Sequence, residues 1–118
     1  MEIIRTNVDT TNKKLLYKLT RSAGKMVQDT EDRKSIPVAA YALYNDPKDN
    51  KDGTSRDNFV LSFINPDGEK FSTVSATFQR EFFDIVDLMQ DEAFAVLLIH
   101  GTTKGGKPFV TCELDCEF

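Results

Sequence analysis

The chain has 118 residues, with 15 Lys and Arg against 19 Asp and Glu, a formal net charge of −4 and 40% hydrophobic residues. This length builds one domain around a single core, too little chain for the multilayered parallel sheet of a nucleotide-hydrolysing fold, and no apolar run approaches the roughly 20 residues of a membrane span. Polar residues and lysines occupy positions 1–20, where a secretory leader would be apolar, and there are only two cysteines, Cys112 and Cys116; both features point to an intracellular protein with reduced, structural thiols.

The charge is unevenly spread. Residues 1–34 hold eight Lys and Arg against five acids, residues 35–59 three against four, and residues 60–118 four against ten. The stretch "NKKLLYKLTRSAGK" (residues 12–25) carries Lys13, Lys14, Lys18, Arg21 and Lys25 without an acid and with Tyr17 among them. A local basic patch, not the total, decides whether a phosphate backbone is attracted. The same residues also read as a solvated face beside Leu15, Leu16 and Leu19. A strand around residues 14–20 and a short helix after Ser22 are expected here.

"IPVAAYALY" (residues 36–44) reads as a strand with Pro at its start. "NDPKDNKDGTSRD" (residues 45–57) has no apolar residue and reads as a long exposed loop. "NFVLSFI" (58–64) and "KFSTVS" (70–75) are β-rich runs joined by "NPDGE". There Pro presets φ and Gly accepts the positive φ that closes the turn, so the pair should form a hairpin. The period then lengthens: Phe78, Phe82, Ile85, Val86 and Met89 recur on one helical face, with Ser75 or Thr77 as cap and Glu81 among early acids suited to the helix dipole. "FAVLLIH" (94–100) is a central strand and "PFVTCEL" (108–114) an alternating one.

Five strands with one helix between the third and fourth is the order of an OB-fold, an all-β barrel with a single helix. An SH3-like barrel or an open α+β sheet fits that helix position less well. The expected organisation is a barrel over residues 35–118 with residues 1–34 as an extension packed on or near it.

"GTTKGGKPF" (residues 101–109) matches the spacing of a phosphate loop through Gly101, Gly106 and Lys107. Pro108 then removes the hydroxyl that would hold magnesium, and a strand follows where such a loop needs a helix. In an OB-fold this stretch is the hairpin between the last two strands, where glycines turn the chain and Lys104 and Lys107 sit at the tip. "PDGEK" confines a nuclease-like motif to one turn, and Glu113, Asp115 and Glu117 on one strand face could hold a hard cation but equally form an exposed edge. His100 has no nucleophile beside it. Neither catalysis nor a metal or cofactor is expected.

A binding surface is left. Single strands are held by aromatic faces that stack on bases within a basic groove. Of the aromatics on the first three barrel strands (Tyr41, Tyr44, Phe59, Phe63 and Phe71), each could be core or platform. Tyr41 and Phe71 are the expected stackers. Lys14, Tyr17, Lys18, Arg21, Arg56, Lys70, Lys104 and Lys107 complete the expected nucleic-acid-binding set.

"DGEKFSTVSATFQREFFDIVDLM" followed by "GTTKGGKPFVTC", with "LYKLTRS" near the start, resembles the small single-stranded-DNA-binding proteins of bacteriophages and mobile elements. The likeness spans roughly residues 14–112. It implies an OB-like protein that coats single strands in phage replication or recombination, in the host cytoplasm, without sequence preference or cofactor. It leaves room for replication or recombination proteins as partners and for a homo-oligomer. "ELDCEF" is similar to the acidic, Phe-ended tip with which bacterial single-strand binders recruit partners, but it lacks their long disordered tail and is expected here to finish the last strand. The rival from another class is an acidic phage inhibitor whose carboxy-terminal half mimics nucleic acid or docks a basic partner.

Overall fold

The structure is a computed structural model that describes residues 1–118. Its elements run β1 (Glu2–Thr6), α1 (Lys13–Arg21), β2 (Lys25–Met26), a single 3-10 turn (Val27–Asp29), β3 (Ser35–Pro37), β4 (Ala40–Asn45), β5 (Lys48–Asp49), β6 (Ser55–Arg56), β7 (Phe59–Ile64), β8 (Lys70–Thr73), α2 (Ala76–Met89), β9 (Ala95–Thr102) and β10 (Pro108–Leu114). The chain is mostly β with two helices, in a five-stranded sheet β1-β4-β7-β8-β2, a three-stranded sheet β10-β9-β3 and a two-stranded ribbon β5-β6. No helix is long and apolar enough to cross a membrane.

The strand read at residues 36–44 serves both sheets. β3 pairs with β9 and β4 with β7, and between them Val38 N–H donates to Phe94 O at 3.0 Å while Ala39 N–H donates to Ile64 O at 2.8 Å. On the far side the barrel expected from the sequence is not closed, because no ladder joins β8 to β10. The edge of β8 is occupied instead by β2, in parallel, with Lys25 opposite Phe71 and Met26 opposite Ser72. The 3-10 turn touches both β8 and β10 and buries Val27 in the main core. Gly24 makes this approach sterically feasible: a Cβ there would lie 2.8 Å from Lys70 Cγ and 2.9 Å from Lys70 O. Gly24→Ala should therefore push β2 off β8 and cost about 1–3 kcal/mol, the usual range for overpacking. A urea midpoint equal to that of the parent would show that the contact carries no weight.

The amino-terminal segment departs from expectation. Residues 13–21 form a helix, not a strand, and Ser22 is followed by β2 and the 3-10 turn, not by a second helix. Leu15, Leu16 and Leu19 fall on one helical face, and Asn12 Oδ1 caps the helix by accepting from Leu15 N–H at 3.3 Å. That face lies on the outer side of β4 and β7, where Ala40, Ala42 and Ser62 are small enough for close approach. A second core results, with Val8, Leu19, Ala40, Ala42, Tyr44 and Ile64 buried.

The main core lies on the other side of the same sheet. α2 is capped by Ser75, whose hydroxyl accepts from Phe78 N–H at 3.2 Å, and its first turn carries no acid. It buries Phe78, Phe82, Ile85 and Val86. Phe63 is the centre of this layer, with ring centroids 5.7 Å from Phe71, 6.1 Å from Phe78 and 5.3 Å from Phe82.

Residues 45–57, expected as a loop, contain the β5-β6 ribbon. Its tip and those of the β7-β8 and β9-β10 hairpins share one design. Gly53, Gly68 and Gly106, at φ 87°, 87° and 83°, each donate N–H to the carbonyl three residues back. That is the three-residue hairpin loop ending on a left-handed glycine.

Candidate nucleic-acid interface

The basic stretch becomes the solvent side of α1. With the leucines turned inward, Lys13, Lys14, Tyr17 and Arg21 are exposed, Tyr17 at 65%. Lys18 is half-buried and leans over the β7-β8 turn, its Nζ 2.7 Å from where a Cβ on Gly68 would sit. The ion pairs of the chain are Arg5–Asp87, Lys48–Asp46 and Arg80–Glu81, so no α1 cation is neutralised by a carboxylate. Arg5 is committed elsewhere: its hydrogen bond to Asp87 raises its pKa, and the guanidinium lies 4.6 Å from the Phe83 ring centroid.

Lys13 and Lys14 also stand in the first turn of α1, which contains no acid. The amino end of a helix is its positive pole, so each cation there costs on the order of 0.3–1 kcal/mol. Local helix energetics would place Asp or Glu in that turn. The positive potential is therefore concentrated and unspent, and available to an external anion.

Lys104 and Lys107 lie at the exposed tip of the β9-β10 hairpin. Thr103 N–H donates to Lys107 O at 2.8 Å and Gly106 N–H to Thr103 O at 2.9 Å, so "GTTKGGKPF" is a strand-to-strand turn, with no helix to aim amides at a nucleotide. Arg56, on the ribbon, donates to Asn50 Oδ1 at 3.3 Å and has no acidic partner. Four of the sequence-selected residues are thus gathered on α1, two on the hairpin and one on the ribbon.

Three others are placed elsewhere. Tyr41 and Phe71 are core residues, 7% and 1% exposed. The reason is register: Tyr41 lies opposite Phe63 and Phe63 opposite Phe71, so all three point to the face that α2 covers. Lys70 is on the outer face but covered. Its Nζ donates to Ser22 O at 2.6 Å, its stem packs against Gly24, and burial lowers its pKa. Tyr44 also faces outward but lies under α1, its hydroxyl 3.3 Å from Ser62 Oγ. The outer face of the first three strands is therefore covered by the amino-terminal segment and is not an open stacking platform.

The exposed aromatics are Tyr17, Phe59, Phe109 and Phe118. Phe109 was not singled out by sequence reasoning. The signal was present: in "PFVTCEL" alternation sets Phe109 and Thr111 against Val110 and Cys112, and Cys112 is the buried one.

The acidic residues and thiols near the carboxy terminus are separately placed. β10 ends at Leu114, so Glu113, Asp115 and Glu117 do not share a strand face. Asp115 accepts from the Ser35 hydroxyl and from Glu117 N–H, which holds its pKa down. No group of three or more His, Cys, Asp or Glu side chains is placed to hold a metal. Both cysteines are free; Cys112 is buried, and desolvation, with Glu81 and Glu113 nearby, pushes its thiol up to about 12. A hollow of about 380 Å³ is lined by Asn7, Val38, Tyr41, Asp91, Glu92 and Phe94 among others, a lining with two carboxylates and no cation. Its sign is wrong for phosphate.

A family model described as Phage Single-stranded DNA-binding protein matches residues 1–115, from β1 through β10. No curated protein and no solved structure matches the chain.

Proposed function

The chain belongs to the family of phage single-stranded-DNA-binding proteins, and we propose that it coats single strands without sequence preference during phage replication or recombination in the host cytoplasm. The observation that carries this reading is the solvent side of α1, where Lys13, Lys14 and Arg21 are exposed and unpaired around an exposed Tyr17. A phosphate backbone laid along this face releases counterions from each neutralised phosphate, and the Tyr17 ring offers a base a sequence-blind stacking surface. We assign Lys18 on α1, Arg56 on the ribbon and Lys104 and Lys107 on the β9-β10 hairpin as further phosphate contacts. The binding is non-catalytic and needs no cofactor.

We read the fold as an OB-fold opened at one seam. The strand shared by two sheets, the β7-β8 hairpin, α2 and the β9-β10 hairpin follow that order, as residues 35–118. Residues 1–34 are the extension, of which β2 and the 3-10 turn lie at the seam between β8 and β10.

The test is a titration of fluorescently labelled oligo-dT, a mixed-sequence DNA and an RNA of equal length across salt concentrations. Log affinity should fall with log salt at a slope of about −0.7 per phosphate neutralised, with dT and mixed sequence alike. Absence of binding at low salt would overturn the proposal.

A further inference from the structure

The β9-β10 hairpin carries more than two lysines. Phe109 lies directly across the ladder from Gly101, and its ring covers the bare glycine: a Cβ on Gly101 would lie 2.5 Å from Phe109 Cζ and 2.9 Å from Cε1. The far end of the ring is thus set over the bare glycine main chain. The side chain is not enclosed: Phe109 is 43% exposed. Pro108 precedes it and fixes the local φ, and Lys104 and Lys107, both exposed and without a carboxylate partner, stand at the adjoining turn.

An aromatic over a cross-strand glycine can be simply a cover that restores sheet packing. Two features favour a ligand. Phe109 stays 43% exposed although a smaller apolar residue would also cover the glycine, and the adjoining turn carries Lys104 and Lys107 with no acid paired to them. A base with its flanking phosphates needs that combination: a preorganised π-face costing little entropy to use, and cations within one nucleotide's reach.

We infer that Phe109 is a base-stacking residue, holding one unpaired nucleobase against the hairpin while Lys104 and Lys107 take the adjacent phosphates; this rests on the single-strand-binding reading above. The alanine-scale size of such a stack corresponds to about a five- to 150-fold loss in Kd.

The experiment uses the full chain and oligo-dT. The sequence contains no Trp, so Phe109→Trp introduces one indole reporter with no background from others. Its emission should be quenched on titration. Phe109→Leu, which still covers Gly101 but has no π-face, should bind five- to 150-fold more weakly at an unchanged melting temperature. If the parent binds oligo-dT but Phe109→Trp shows no quenching and Phe109→Leu binds equally well, the inference is overturned and the family reading stands. If the parent itself does not bind, both fall. Should Phe109→Leu melt early, the Trp quenching alone decides.

Discussion

Replacing Phe63 by alanine is expected to lower the free energy of unfolding by about 3–5 kcal/mol, the range for deleting a buried Phe. Phe63 is fully buried, and its ring meets Phe71 on the neighbouring strand and Phe78 and Phe82 on α2. The cavity would open where the five-stranded sheet and α2 meet, and neighbouring rings are too large and too constrained to collapse into it. A domain of this size has about 5–15 kcal/mol in total, so the variant should lose roughly a fifth or more of its stability. Phe59, on the same strand and the same sheet face but 44% exposed at the strand's start, is the internal comparison. Its truncation should cost far less, because half the ring is already in water. Urea unfolding followed by circular dichroism reads both, and a Phe63→Ala loss below about 1 kcal/mol would mean that this cluster does not hold the two layers together.

Much of this core was legible because its signals are local. The α2 face repeats at helical spacing, and "NPDGE" closes a turn whose length sets what lies opposite what. That same turn already placed Phe71 across from Phe63, so a sheet face that buries Leu61 and Phe63 had to include Phe71. Choosing Phe71 as a stacker set residue type above register. Tyr41 fails for the same reason, as the partner of Phe63 on the other side.

The amino-terminal segment was harder to read for a physical reason. Leu15, Leu16 and Leu19 give only one apolar turn, too short to separate period 2 from period 3.6, and what fixes the helix is tertiary: Ala40, Ala42 and Ser62 leave a shallow seat on the sheet. Nor could local pattern reveal that two residues, Lys25 and Met26, would take the β8 edge that barrel closure requires. Covering the outer face of the first three strands moved the candidate interface off the strands, onto the helix lying over them and the last hairpin. Lys13, absent from the sequence-selected set, joins it once the helix turns it outward beside Lys14.

The first turn of α1 allows binding and folding to be separated by sign. Lys13→Glu with Lys14→Glu puts acids at the positive pole of the helix, where each such change should stabilise the helix by a few tenths to about 1 kcal/mol. Neither side chain is buried or ion-paired, so nothing in the fold opposes the gain. Binding should move the other way. Each lost phosphate contact removes about 0.7 from the salt slope, which at 50 mM salt is about tenfold in affinity, so two contacts give a slope shallower by about 1.4 and about a hundredfold weaker binding. A protein that melts higher and binds single strands less is the expected result. If these lysines instead served only the fold, the substitution would leave both the affinity and the salt slope for oligo-dT unchanged, and the interface would have to be sought on the hairpin and ribbon alone. The two lysines oppose the helix that carries them, and under the proposed function an anion bound outside the chain would supply the interaction that the helix itself lacks.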